Sequence, residues 1–349
     1  MALSRCTRPL IRTTAMSAPA YSTLTDNITG AASAASQTIA NLVKQYIVHD
    51  VAKTGFGEGT NDLYNAARPS YPADALKIIH DTLAPTPRAL KIIEPGSGTG
   101  IFSRLLLRAP SSEYPTFDID TLVGVEPSEG MRNSWWRELE KAGLGKRQEL
   151  DGGQAVEGRK VGTVDGGFDA LGKVKEYGLT NVREGGGVDG VIIAQAWHWC
   201  PDHAAALREI ASFLLPGAPL ILIWNLESQS PSWQGLLRKT YQPFDLGSPQ
   251  YYKGWWRKMF ENPVYGELFE VQEEKQVGWS AEMTEQGVLD RLLSKSYLTE
   301  QHLKGAEREK LVDSLQRIIH EGDKDWVDQE NGVFKYNYNT DVVICRRKA

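Results

Sequence analysis

Residues that would staple or ligate the chain are scarce. The three cysteines, Cys6, Cys200 and Cys345, are far apart and odd in number, which argues against a disulfide scaffold or a zinc site. A reducing compartment is the simpler expectation. No stretch reaches 18 uninterrupted apolar residues, so no membrane-spanning helix is expected. Positive charge is not in excess: 39 Lys and Arg against 44 Asp and Glu give a net charge of −5, which weighs against nucleic acid or an anionic membrane as the main partner. There is no Gly-Lys-Ser/Thr, which excludes a phosphate-cradling P-loop. Residues 1–25 contain no acid at all, but they carry Arg5, Arg8 and Arg12 among several Ser and Thr. That composition is like a mitochondrial transit peptide, with a disordered tail as the alternative, and it lacks the apolar core of a secretory signal. The expected compartment is the cytoplasm, with mitochondria as the alternative.

What is present is organised around Ala89–Met131. Ala89–Glu94 reads as a buried strand, Pro95-Gly-Ser-Gly-Thr-Gly100 as a glycine turn, Ile101–Leu107 as a helix, and Thr121–Glu126 as a second strand ending in a carboxylate. These are the parts of a nucleotide-type βαβ unit. The glycines allow a sharp turn and a close approach of ligand to backbone. Their spacing is G-x-G-x-G, with Ile101 where a dinucleotide fingerprint would have its third glycine, which opposes an NAD-dependent oxidoreductase. Glu94, facing the turn, would repel a pyrophosphate but pair with a cationic amino group. A ligand with a ribose and an ammonium group but no phosphate is S-adenosylmethionine.

Ile93-Glu-Pro-Gly-Ser-Gly-Thr-Gly100 resembles the first motif of class I S-adenosylmethionine-dependent methyltransferases, and Val123–Met131 resembles the second. The resemblance implies that Glu94, Gly96, Ser97, Gly98 and Gly100 lie against the methionine part of the cofactor. It gives both ribose hydroxyls to Glu126 and places Pro127 and Met131 beside the adenine. Arg68-Pro-Ser-Tyr-Pro72 is similar to a segment of the trans-aconitate type of these enzymes (methyltransferase type 11), which covers the cofactor. Arg68 suits the cofactor's carboxylate because a guanidinium matches it bidentately, and Tyr64 adds a hydroxyl. In the glycine-rich 143–187 interval, Phe168 and Asp169 best match the family's adenine contacts.

Val188–Ala194 and Pro219–Asn225 read as buried strands, with Gln195-Ala-Trp-His-Trp-Cys200, a helix over Ala204–Leu214 and Leu215-Pro-Gly between them. This is the second half of a doubly wound sheet, and it resembles the family's corresponding elements. The expected fold is thus α/β: a seven-stranded, mostly parallel, Rossmann-like sheet with a helical, aromatic lid insertion. The expected organisation is a tail over 1–27 and one domain over 28–349. That domain divides into a helical cap (28–88), a cofactor core (89–225), a substrate lid (226–268) and C-terminal helices and antiparallel strands (269–349). Residues 28–48 read as an amphipathic helix. Phe269–Val277, Val333–Tyr338 and Asp341–Cys345 read as strands, the last entering the sheet antiparallel beside the first. Trp135 and Trp136 read as packing, whereas the tryptophans of Trp233–Trp279 are expected to line an apolar or planar acceptor site.

The expected activity is S-adenosylmethionine-dependent methyl transfer to a small molecule, an O-methylation of a carboxylate or hydroxyl. The alternatives are a tRNA or protein methyltransferase, and a methyltransferase-like fold that does not methylate. Gln195, Trp197, His198, Trp199 and Asn225 lie at strand ends, where such folds bind ligands. His198 is the candidate general base, with a structural role as the alternative, and a carboxylate acceptor would need no base. No metal is expected.

Overall fold

The computed structural model describes residues 67–83, 87–154 and 158–349. The helix expected over 28–48, the transit-like tail and Tyr64 lie outside the described residues.

Five apolar runs that are buried along nearly their whole length form the parallel part of one sheet. These are β1 (Leu90–Pro95), β2 (Ile119–Val125), β3 (Lys160–Val164), β4 (Gly190–Ala194) and β5 (Pro219–Glu227). Near-continuous burial is what a parallel sheet covered on both faces requires. Three antiparallel strands follow: β6 (Glu273–Met283), β7 (Trp326–Asp328) and β8 (Val333–Arg346). The strand order is β3-β2-β1-β4-β5-β8-β6, with β7 paired to β8. The order reverses between β1 and β4, and a doubly wound sheet binds its ligand outside the strand ends at such a switch point. This is the doubly wound, Rossmann-like arrangement expected from the sequence.

The main path has the seven strands expected, and the short β7, off this path, is an eighth among the described residues. One expectation is corrected. The segments Val333–Tyr338 and Asp341–Cys345 are one strand of 14 residues, unbroken at Asn339 and Thr340. The reason is local: fully buried Thr340 donates to Asn225 Oδ1 (2.6 Å) and accepts from Trp279 Nε1 (2.8 Å). Its hydroxyl is satisfied inside the sheet, so the polar pair need not turn away.

Helices cover both faces. On one side α1 (Ala73–Leu83), α2 (Ile101–Leu107) and α3 (Glu129–Lys141) bury Leu76, Ile79, Phe102, Leu106, Trp135 and Trp136 against one face of the sheet. On the other, α4 (His203–Phe213) packs Leu207 and Ile210 on β4 and β5. Ser128 and Asp202 cap α3 and α4 by accepting from Met131 N (3.3 Å) and Ala205 N (3.0 Å).

A third apolar cluster joins α5 (Ser232–Tyr241), α6 (Glu285–Leu293) and α7 (Gly305–Glu321) to the start of β8 through Trp233, Leu292, Leu315, Phe334 and Tyr338. The aromatic-rich segment after β5 is divided between two cores. Trp233 and Tyr241 belong to this third cluster, whereas Trp256, Tyr265 and Phe269 pack with α4 on the main sheet.

Candidate active site

Three strands end in acids at the same edge of the sheet: Glu94 on β1, Glu126 just past β2 and Glu227 closing β5. Glu126 and Glu227 border a cavity of about 520 Å³, and Glu94 borders a smaller recess adjoining it through Gly96, Gly98, Arg68, Gln195 and Arg291.

The glycine turn after β1 makes the floor. Gly96 N donates to Val125 O (2.7 Å), tying the turn to β2, and Gly98 N donates to Glu126 Oε2 (3.1 Å). The other carboxylate oxygen accepts from Ser128 N (2.9 Å). Burial raises the Glu126 carboxyl above its ordinary value, partly offset by these two N–H groups and by Arg132. Glu94 is 1% exposed; its carboxylate accepts from the Ser103 hydroxyl, which accepts from Trp135 Nε1 (2.9 Å). Burial is the chief reason that this carboxyl is pushed up to about 8, with nearby Glu126 adding to it and Ser103 and Arg104 opposing.

The glycines do not all serve one purpose. A Cβ on Gly98 would meet only Met131 Sδ at 3.7 Å, so this backbone is open towards the cavity. A Cβ on Gly100, at φ 78°, would lie 2.6 Å from Trp135 Cδ1. Gly100, expected at the cofactor, lines neither the cavity nor the recess, and Trp135 of α3 packs where its side chain would be.

The remaining expected residues fall into place as follows. Arg68, Gly96, Gly98, Glu126, Pro127, Met131, Phe168, Asp169, Gln195 and His198 line the main cavity, while Ser97 and Glu94 line the recess. Gln195 takes a left-handed backbone (φ 59°) immediately after β4, and its Nε2 donates to Asn225 O (2.9 Å). Asn225 also borders the cavity and donates to Ser70 O (3.0 Å), holding the Arg68 segment over it. Trp197 does not reach the cavity: it is fully buried, stacked on His203 and edge-on to Phe168.

For His198, the candidate base with a structural role as the alternative, the hydrogen bonding suits a donor. Trp224 Nε1 donates to its Nδ1 (3.2 Å), so the neutral ring carries its proton on Nε2. Burial, with the Arg68 charge adding to it, brings this imidazole down to about 3. It stays neutral at physiological pH, and its remaining nitrogen has a proton to give, not a lone pair to accept one.

The far end of the cavity holds Tyr241, Tyr251 and Tyr252 of the expected lid segment together with residues that the sequence reading missed: Glu227, Arg238, Arg291, Lys295 and Tyr297. No tryptophan from Trp233–Trp279 lines it; tyrosines do, because their hydroxyls find acceptors there, while Trp233, Trp256 and Trp279 pack in the cores and Trp255 lies exposed. Tyr251 and Tyr252 donate to Asp341 and Asp245. Glu227 Oε2 accepts from Tyr241 OH (2.7 Å), and its Oε1 lies 2.9 Å from Lys295 Nζ and 3.3 Å from Arg291 Nη2. Burial pushes the Glu227 carboxyl up, but Lys295, Arg291 and Tyr241 outweigh it and bring it down to about 2. Two signals for this cluster were available. One is the acid ending an apolar strand, as in β1 and β2. The other is an arginine on the apolar stripe Val288, Leu289, Leu292.

No protein-family model matches the chain. Over 235 residues it is 28% identical to an uncharacterised methyltransferase of Mycobacterium tuberculosis and to one of Mycobacterium bovis, covering 67% of this chain and 74% of the relative in each case. Among solved structures it resembles the YcgJ protein of Bacillus subtilis (TM-score 0.44, 12% identity, 79% of this chain and 99% of that one). It also resembles a Haemonchus contortus phosphoethanolamine N-methyltransferase (TM-score 0.37, 13% identity, 79% of this chain and 53% of that one).

Proposed function

We propose that this chain transfers the methyl group of S-adenosylmethionine to an oxygen of a small organic acceptor. The observation that carries the reading is the tether between the Glu126 carboxylate and Gly98 N, which sets a ribose-type acid and an open glycine backbone on one cavity wall. The residues fit the cofactor's chemistry: Gly98 leaves room for a ligand against the backbone, and no Lys or Arg lies in the glycine turn to attract a pyrophosphate. Glu126 would hold the ribose hydroxyls, Pro127, Met131, Phe168 and Asp169 the adenine, and Glu94 and Arg68 the two charges of the amino-acid end. When bound, the cofactor supplies a strongly electrophilic methyl group. The chain's own part is to orient the acceptor and exclude water, and this needs no set of catalytic acids and bases.

His198, Gln195 and Asn225 lie between the two ends of the cavity and suit that orienting task, His198 by donating from Nε2 to an acceptor oxygen. With no base available in His198, an acceptor that is already ionised, a carboxylate, is favoured over an alcohol. The volume suits a small molecule beside the cofactor, and the mycobacterial relatives carry the same general activity in their names. We assign 226–268 as the cover of the acceptor end, acting through Tyr241, Tyr251 and Tyr252.

The test is incubation of the purified chain with isotopically labelled cofactor and a panel of carboxylic acids, phenols and cell extract, with mass detection of products. A labelled methyl ester or ether is expected. Consumption of cofactor with no methylated product, or none at all by protein that binds it, would overturn the reading.

A further inference from the structure

We propose that Arg291 and Lys295, braced by Glu227, form an anion subsite at the far end of the cavity that anchors an acid group of the acceptor other than the oxygen methylated. This rests on the methyltransferase reading and names what that site selects.

The argument begins with charge. At this end the wall carries the deeply placed Arg291 and Lys295 against one lining carboxylate among the described residues, that of Glu227. The other acids on the cavity, Glu126 and Asp169, sit beside the glycine turn and the Phe168 segment. Arg291 and Lys295 are deeply placed, with side chains 3% and 12% exposed. An excess of buried positive charge is costly unless a counter-charge enters with a ligand.

Hydrogen bonding points the same way. Nε and Nη1 of Arg291 are buried and have no hydrogen-bond partner among the described residues. Lys295 has three N–H donors and one carboxylate partner, Glu227. Glu227 already takes Tyr241 on one oxygen and Lys295 and Arg291 on the other. It is therefore a positioning residue, holding two cations whose remaining donors want an acceptor. An organic acid group supplies both the charge and the oxygens.

Arg291 also borders the recess beside Gly96 and Gly98. A carboxylate on this clamp could thus come from the acceptor or from the amino-acid end of the cofactor, and the test separates the two. Calorimetry on the full chain saturated with S-adenosylhomocysteine is run with glutarate and inorganic phosphate, and with neutral glutaramide as control. The anions are expected to bind at least tenfold more tightly than glutaramide. K295M should weaken them at least tenfold while S-adenosylhomocysteine affinity stays within twofold. R291Q should do the same, and K295M keeps the test decisive if that buried change prevents folding. Equal binding of glutarate and glutaramide, or unchanged anion affinity in K295M, overturns the proposal. So does loss of S-adenosylhomocysteine affinity in place of anion affinity, which would give the clamp to the cofactor. Failure of the wild-type chain to bind S-adenosylhomocysteine strikes the methyltransferase reading instead, and anion binding measured without it still reads the clamp.

Discussion

Glu94 shows how a single side chain ties fold to ligand. Its carboxyl is pushed up to about 8 from an ordinary value near 4.5. Between those values the unfolded chain has released a proton that the folded chain keeps, so this group costs stability as pH rises through that window. A bound ammonium group favours the ionised form. Binding of S-adenosylhomocysteine near pH 7 should therefore release a proton and tighten from pH 6 to 8. Calorimetry in two buffers of different ionisation heat reads this directly, and E94Q should abolish the difference; equal heats with the wild type would remove Glu94 from the ammonium. His198 makes the opposite case. With Nδ1 taken by Trp224 and its ring held neutral, H198Q should cost less than about tenfold in kcat. Loss of a general base costs about 10²–10⁴, and a fall of that size would restore the base. Gly100 teaches a related lesson: a glycine motif reads as ligand contact, yet this member makes room for Trp135, a neighbour 35 residues on that no local pattern reveals.

At the scale of elements, α6 matters out of proportion to its nine residues because it carries Arg291 and leads to Lys295. Thr284 caps it by accepting from Gly287 N (3.1 Å), and Val288, Leu289 and Leu292 dock it on α7 and β8. Leu315 of α7 is fully buried in that cluster. L315A should lower stability by about 2–5 kcal/mol in denaturant unfolding and weaken glutarate binding more than S-adenosylhomocysteine binding. Equal effects on both ligands would mean that this cluster does not support the anion end separately. The parallel strands and their helices were legible because each is a short apolar run with a clear stop, such as Leu215-Pro-Gly. The aromatic stretch after β5 was not. Its indoles and phenols look alike in sequence, and only the separate cores decide which ring is buried and which reaches the cavity.

For the whole molecule, the doubly wound sheet and the placing of the glycine turn and Glu126 at its strand ends could be read in advance, since these features are local in sequence. The opposite end of the cavity could not. It is assembled from Glu227, Tyr241, Tyr251, Arg291 and Lys295, which lie on separate elements brought together by pairing of β8 with β5 and β6. A net charge of −5 hides this locally cationic end. The central claim is that Glu126 and the glycine turn hold a phosphate-free nucleoside. The most direct measurement is calorimetric titration of the purified full chain with S-adenosylhomocysteine, beside E126A. One site is predicted in the wild type, weakened tenfold to a hundredfold in the folded variant, or about 1.5–3 kcal/mol for a charge-assisted hydrogen bond. No heat from folded wild-type protein, or equal affinity in E126A, would contradict it.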